Sequence, residues 1–411
     1  MSTFSDSVTS YLDQCDNLEG RQALWTSFVQ LGLPSTVDEV WRYAPLSSFH
    51  LDEYAVAAET TTKFDADVGA LRDDGSLLLR VLDGTLIADG ASLDGVDVDV
   101  RPTTIEDTEE FVRRYGDDAF ALLNGALTPA TVVITVAPDC SVANTIVIVH
   151  QVTSGAAFPS LRVEVGRGSS LRLVECYLGG ENALVTPMSE YHVGENAELH
   201  VATYQRLAST AWHVARTTTF LARDARMNQS VVGLGAQYDR ARNDATFEGT
   251  GSSNVLHTTF LGAGSQVHDF RTHQLHLVGR TKSTLLSKGA VADDSRSVYT
   301  GLIEIEKGAK RTDARQRNLN LLLSPDAHAD TVPNLDIREN DVVCAHASSV
   351  GPLDEMQRWY LESRGVERRA AERLLVQGFF TEMTDAMPAN IAAMVVRDVA
   401  RVLATTQLGA P

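Results

Sequence analysis

The pattern of apolar and polar residues changes period twice along the 411-residue chain. Near the start, Leu18, Leu24 and Phe28, with Trp25 and Leu31 beside them, recur at helical spacing and stop at Gly32. That predicts a helix ended by a glycine. Ser35-Thr-Val-Asp38 predicts a capped short helix through Trp41. Pro45 ends it, because the residue before a proline disfavours the helical region. From Ser76 to Val100 alternation takes over, in runs Leu77–Val81 and Val96–Val100 with turns at Asp83-Gly84 and Asp89-Gly90. A helix capped by Thr104-Ile-Glu-Asp107 follows, reaching about Asn124, with Phe111, Tyr115, Phe120 and Leu123 as its apolar positions.

Beyond that helix the alternation acquires a longer period. Val136-Ala-Pro138, Val165-Gly166, Val193-Gly194 and Leu221-Ala222 each end a strand and open a turn. The turn positions 138, 166, 194 and 222 are 28 residues apart, with looser copies at Gly249, Gly279 and Gly308. Runs as short as Leu161–Val165 or Leu199–Thr203 cannot bury a face alone, whereas stacked coils give each rung a neighbour. Residues 130–340 therefore read as a right-handed parallel β-helix or related solenoid; a β-sandwich with chance spacing is the alternative.

Helical spacing returns after Pro352. Asp354 and Glu355 suit a helix start, and Ser363-Arg-Gly365 suits its end. A second helix from Val366 to about Met387 carries Ala370, Leu374, Leu375, Gly378 and Phe379, and Pro388 breaks it. Ile391, Met394, Val395, Val399, Val402 and Leu403 form a third apolar stripe. Such helices could cap the exposed end of the stack or dock another protein. The expected fold is mainly β: a mixed α/β segment over 1–128, a solenoid core over 129–345 and a helical domain over 346–411.

Composition narrows the function. A 44% hydrophobic, 22% charged chain is that of a soluble globular protein. The net charge of −19, with no basic run, argues against nucleic acid and against anionic membrane surfaces. No basic-then-apolar leader and no window of eighteen apolar residues stand out, so the cytoplasm is the expected compartment. Cys15, Cys140, Cys176 and Cys344 are scattered and form no CxxC pair, which suits reduced thiols. Walker A, GxSxG, HExxH and Rossmann patterns are missing.

One pair of residues suggests metal chemistry. In Asp341-Val-Val-Cys-Ala-His-Ala-Ser-Ser-Val-Gly351, Cys344 and His346 stand two apart. In a strand they share a face, about 6–7 Å apart. A thiol and an imidazole suit iron, zinc or copper(I), but two ligands do not complete a site. A structural cysteine is the alternative. The His-rich run Val267–His276 puts His268 and His273 on opposite faces and reads as a solvated rung. His200, His213 and His257 are singletons, and Thr312-Asp-Ala-Arg-Gln316 reads as a turn between rungs. Asp293 and Asp294 read as a turn rather than a carboxylate pair for sugar chemistry.

The segments Thr312–Ser324, Ala327–Ile337, Asp341–Gly351, Leu353-Asp-Glu and Tyr360–Gly365 closely resemble the SufB/SufD family of the SUF iron–sulfur cluster assembly machine. The dense similarity covers 300–390, with a weaker echo at Trp41-Arg-Tyr-Ala-Pro-Leu46. Ala327 occupies the place where the SufB branch carries a cysteine, whereas Cys344 and His346 match the Cys-x-His pair of the SufD branch. The resemblance implies a non-enzymatic scaffold in complex with SufB and the ATPase SufC, or a homodimer without SufB. It implies that His346, and less directly Cys344, contributes to an iron or nascent-cluster site at the SufB interface. It also implies that SufC docks on the C-terminal helices, where Leu353, Tyr360, Leu374, Leu375, Phe379, Ile391 and Val395 are the expected contacts. No ATP site of the chain's own is expected. A SufB-type paralogue and a β-helix enzyme acting on polysaccharide are the alternatives.

Overall fold

A computed structural model describes residues 4–15, 17–56, 69, 71, 75–87, 93–101 and 105–406. Strands dominate, wound into a parallel β-solenoid of about eight turns, with an N-terminal α/β region and C-terminal helices. The described strands form two sheets. A ten-stranded sheet begins with Thr85–Ile87 and Leu77–Leu82 and ends with Asp313–Leu322 and Val343–Pro352. An eleven-stranded sheet begins with Val96–Arg101 and Thr131–Val136 and ends with Arg296–Ile305 and His328–Ile337. From Thr131 on, successive coils stack in parallel register, each giving one strand to the ten-stranded sheet and one to the eleven-stranded sheet, split in two early coils into a short and a longer strand such as Gly155–Ala157 and Ser160–Val165.

The repeat seen in the sequence is the corner between the sheets. At each copy one residue takes a left-handed backbone: Asp139, Gly168, Asn196, Asp224, Gly251, Arg280 and Arg311. Asp, Asn and Gly adopt that conformation at least cost, which explains most of the positions. The N–H of Asp139 donates to the Arg167 carbonyl, that of Gly168 to Glu195, that of Asn196 to Arg223 and that of Asp224 to Thr250, coil upon coil. Gly166 and Gly194 are needed for a second reason. A β-carbon at either would lie 2.7 Å from the carbonyl oxygen of Val136 or Val165 in the coil below.

The N-terminal region closes the first end of the solenoid. Leu77–Leu82 pairs in parallel with Ile146–Val152 and turns at Asp83-Gly84, both left-handed, into the antiparallel Thr85–Ile87. Val96–Arg101 runs antiparallel to Thr131–Val136 and covers the other sheet. The first coil thus begins at Leu77, earlier than the expected boundary at 129. Helices α1 (Phe4–Leu12) and α2 (Leu18–Leu31) contribute to a cluster in which Phe28 and Leu24 meet Phe120 and Trp212. Gly32 ends α2 as expected. The expected short helix through Trp41 is a single 3-10 turn, with Asp38 accepting from the Ser35 N–H.

The single helix expected from Thr104 to Asn124 is two: α3 (Ile105–Tyr115) and α4 (Ala119–Leu127). Asp118 starts α4 by accepting from the Phe120 and Ala121 amides, a cap that periodicity alone does not show. The Thr104 cap and the Asp89-Gly90 turn lie outside the described residues.

After the last strand come α5 (Glu355–Ser363), α6 (Arg368–Thr384) and α7 (Ala389–Thr405). The expected boundary at 345/346 falls inside the last strand, which ends at Pro352. The helices do not cap the stack. Val376, Phe380, Ile391, Val395 and Leu403 pack along the outer face of the ten-stranded sheet, against Val147, Val174, Tyr204 and Leu286. Polar groups fasten the contact: Lys288 pairs with Glu382 at 2.7 Å and donates to the Phe379 carbonyl, and the buried Asp398 accepts from the Tyr204 hydroxyl.

Candidate functional site

Cys344 and His346 lie on the final strand, Val343–Pro352, which pairs on one side only, with Asp313–Leu322. Cys344 stacks over Ala314 and His346 over Gln316. The two share one face of the strand, as their spacing predicts, and because both underlying residues are buried that face is the inward one. Among the described residues no further coil covers them, and His346 is exposed. Cys344 is half-buried beside Ile303, Ile305, Ala309 and Ala314. Burial, and then the nearby Asp313 carboxylate, push its thiol above the ordinary range.

Across the interior, His328–Ile337 ends the other sheet, also paired on one side only. The Thr331 and Ser348 hydroxyls join the two final strands at 2.8 Å. Leu335, Ile337 and Val350 share the inward parity yet stay exposed, each by about 40%. Directly beneath lies a polar floor of buried Gln316, Asn318 and Asn320. The Gln316 and Asn318 side-chain carbonyl oxygens, and both Asn320 amide atoms, have no partner among the described residues. Gly301 makes room for this floor: a β-carbon there would sit 2.3 Å from the Gln316 amide nitrogen. Among the described residues no three His, Cys, Asp or Glu side chains converge as a metal cage. What the final coil presents is a thiol and an imidazole on one open edge.

The expected docking residues divide. Tyr360 and Leu374 are exposed, joined on α5 by Met356 and Trp359, which sequence reading passed over. Leu353, Leu375 and Phe379 are half-buried, and Leu353 and Phe379 pack on the chain's own helical core. Ile391 and Val395 are fully buried against the solenoid and cannot touch a partner, so their assignment as contacts is corrected. The α7 stripe is the anchor of the helix. On α6 the buried face is Ala371, Val376, Phe380 and Met383, rotated from the expected set.

The interior also holds polar residues that alternation could not place. The buried Glu175 carboxylate accepts from Tyr177, Ser189 and Tyr191 and pairs with His150 at 3.1 Å. Burial works to raise its pKa, but these partners, His150 foremost, hold it below the usual carboxylate range. Asp239 likewise bridges His213 at 2.7 Å and His268 at 3.2 Å. His276 is buried, bonded to Thr281 and Ser283 and stacked on Phe247. The Val267–His276 strand is therefore not a solvated rung; His268 and His276 face inward, and only His273 faces out, toward Glu304. Thr312 is the buried corner residue, and Asp313 onward is strand rather than turn. Asp293 and Asp294 do form a turn.

Comparison with known proteins agrees with this architecture. Residues 147–379 match the family described as SUF system FeS cluster assembly, SufBD core domain. The chain is 26% identical over 372 residues to the iron–sulfur cluster assembly protein SufD of Escherichia coli K12, covering 87% of this chain and 86% of that protein. It is 30% identical over 246 residues to SufD of Bacillus subtilis 168, covering 59% and 56% respectively. The match over more than half of its length, joined to the solenoid and the Cys-x-His edge, shows that the chain belongs to the SufB/SufD family of the SUF iron–sulfur cluster assembly system and is of the SufD type.

Proposed function

We propose that the chain is a non-catalytic scaffold subunit whose open solenoid end is completed by the final coil of SufB. Iron or a nascent cluster is then the cargo held between the two chains. The observation that carries this reading is the last coil itself. Among the described residues two ten-residue strands each pair on one edge only, apolar side chains at inward positions lie in solvent, and a polar floor with orphaned amides sits below. Unpaired edges of this length template strand addition from another chain. Burying Leu335, Ile337 and Val350 under a partner coil would favour association by roughly 1–2 kcal/mol each. His346 and Cys344 fit a shared site. They supply two donors of suitable chemistry, and the remaining ligands come from across the interface.

In the same reading SufC docks on the exposed face made by Met356, Trp359 and Tyr360 of α5 and Leu374 of α6. Aromatic side chains of this kind dominate protein interfaces. Movement of the docked ATPase would reach the solenoid through α6 and α7, which are clamped to the sheet by Lys288–Glu382 and Tyr204–Asp398.

The test is anaerobic reconstitution with SufB and SufC, comparing wild type with His346→Ala. Iron content and Mössbauer spectra should show a lower cluster yield from the variant, with complex formation and unfolding midpoint unchanged. Normal yield from an intact variant complex would remove His346 from the site. Full yield from a complex lacking the chain altogether would sink the scaffold reading.

A further inference from the structure

A second site lies away from the open end. On the outer face of the ten-stranded sheet, a groove of about 570 Å³ runs against the turn between α6 and α7. Arg172, His200 and Asn228 line it from one register column on three adjacent rungs. Ser230 and His257 line it from the next column. The opposite wall is Ala386 to Ala389, which brings the N-terminus of α7 to the groove.

Three features of this lining suit an anion. First, α7 is 17 residues long, has no side-chain cap at Pro388 and carries no acidic residue in its first turn. Its leading N–H groups and aligned peptide dipoles leave that end positive. Second, the Arg172 guanidinium has no carboxylate partner among the described residues and makes one long bond, 3.5 Å to the Ala143 carbonyl. Third, Ser230 is 95% buried, yet its side chain lines the groove and has no hydrogen-bond partner among the described residues. The chain carries 54 acidic residues, and the groove lining includes none of them. The carboxylates nearby are already paired: Glu198 with the groove's own His200 at 2.9 Å, and Glu382 with Lys288 at 2.7 Å.

We propose that this groove binds a phosphate-bearing small molecule, with its oxyanion held between Arg172, the Ser230 hydroxyl and the first amides of α7. A tetrahedral oxyanion has acceptors enough for all three donors, which line one groove from different elements. The groove exceeds a bare phosphate and falls within the ~300–1,000 Å³ of small-molecule sites, so the remainder of the ligand lies over Asn228 and His257. A ligand here ties the α6–α7 turn to the solenoid. The proposal does not depend on the scaffold reading above.

Titration of the full chain with inorganic phosphate, pyrophosphate and citrate, followed by calorimetry and phosphorus NMR, tests it. Pyrophosphate should bind saturably and more tightly than citrate, and should slow hydrogen exchange of residues 386–391. Arg172→Gln should weaken binding about tenfold or more, the loss of one charge-assisted contact, and Ser230→Ala by less. Arg223→Gln, at an exposed corner and paired with Glu195, should leave it unchanged. No saturable binding of either phosphate, equal affinity in Arg172→Gln, preference for citrate, or exchange unchanged at 386–391 would each overturn the proposal.

Discussion

The two ends of the solenoid are built to opposite rules. At the first end an antiparallel hairpin and the antiparallel strand Val96–Arg101 take up the sheet edges. Ile146, Ile148, Leu161 and Val163 are fully buried there, and the one interior carboxylate, Glu175, is saturated with donors. At the last end, among the described residues, both edges stay free, the interior turns polar and no helix lies across it. A free flat edge is an aggregation hazard that proteins ordinarily blunt with prolines, charges or a covering element. Two such edges at one end, with the other end closed, are what the proposed SufB interface rests on. The same contrast separates the histidines: those bonded inside the stack are structural, and His346 on the rim is available.

The largest effect should come from one substitution made at both ends. Leu173→Ala in the closed half should cost ~2–5 kcal/mol in urea unfolding, whereas Leu335→Ala on the rim should cost under ~1 kcal/mol. Equal costs would break the comparison. Next, Val350→Lys should lower affinity for SufB, or for a second copy, by about tenfold or more, by placing an unpaired charge in a buried interface. Size-exclusion and calorimetry would read it, and the unfolding midpoint should stay nearly constant. An association that survives the charge would place the interface elsewhere.

The smallest effect is a pH difference between the halves. Burial holds the His276 imidazole down to about 3, so the unfolded chain takes up a proton near pH 6.5 that the folded chain refuses. Its stabilisation is complete above pH 6.5 and is lost as pH falls from there toward 3. For Glu190, burial works upward, but the His192 bond and the charges of His192, Arg114 and Arg162 lower it to about 2. Its contribution is complete above its ordinary value of 4.5 and lost as pH falls from there to 2. Acidification from pH 6.5 to 4.5 should therefore loosen the strand Val267–His276 before the strand Met188–Val193, as residue-resolved hydrogen exchange would show. His276→Gln should remove the upper part of this dependence; an unchanged profile would count against the buried neutral imidazole.

The architecture was legible because the corner repeats. The repeat positions Pro138, Gly166, Gly194 and Ala222 each stand just before a left-handed Asp139, Gly168, Asn196 or Asp224, so the corner, which favours Asp, Asn or Gly, recurs in step with the sequence repeat. That preference fades where Arg280 and Arg311 take the same conformation, held by bonds from their amides to Lys310 and Asp341. That Cys344 and His346 share one face followed from parity alone; that the face is the inward one came from the register over buried Ala314 and Gln316. What parity could not supply was which face is dry. An interior lined with His150, Glu175, Asp239 and His276 reads like a solvent face, so these buried partners were missed. Ile391 and Val395 were misplaced for the converse reason. The Ile391–Leu403 stripe is a true apolar face, but its own solenoid covers it, and the sequence cannot say which surface an apolar stripe meets.

The central claim is that the open end is finished by another chain. Hydrogen exchange across residues 328–337 and 343–352, measured on the chain alone and in complex with SufB, tests it most directly. The account predicts fast exchange from both edge strands in the free chain and strong protection of both in the complex, with little change in Leu77–Leu82 and Val96–Arg101 at the closed end. Protection at the closed end with the two edge strands still exchanging freely would contradict it.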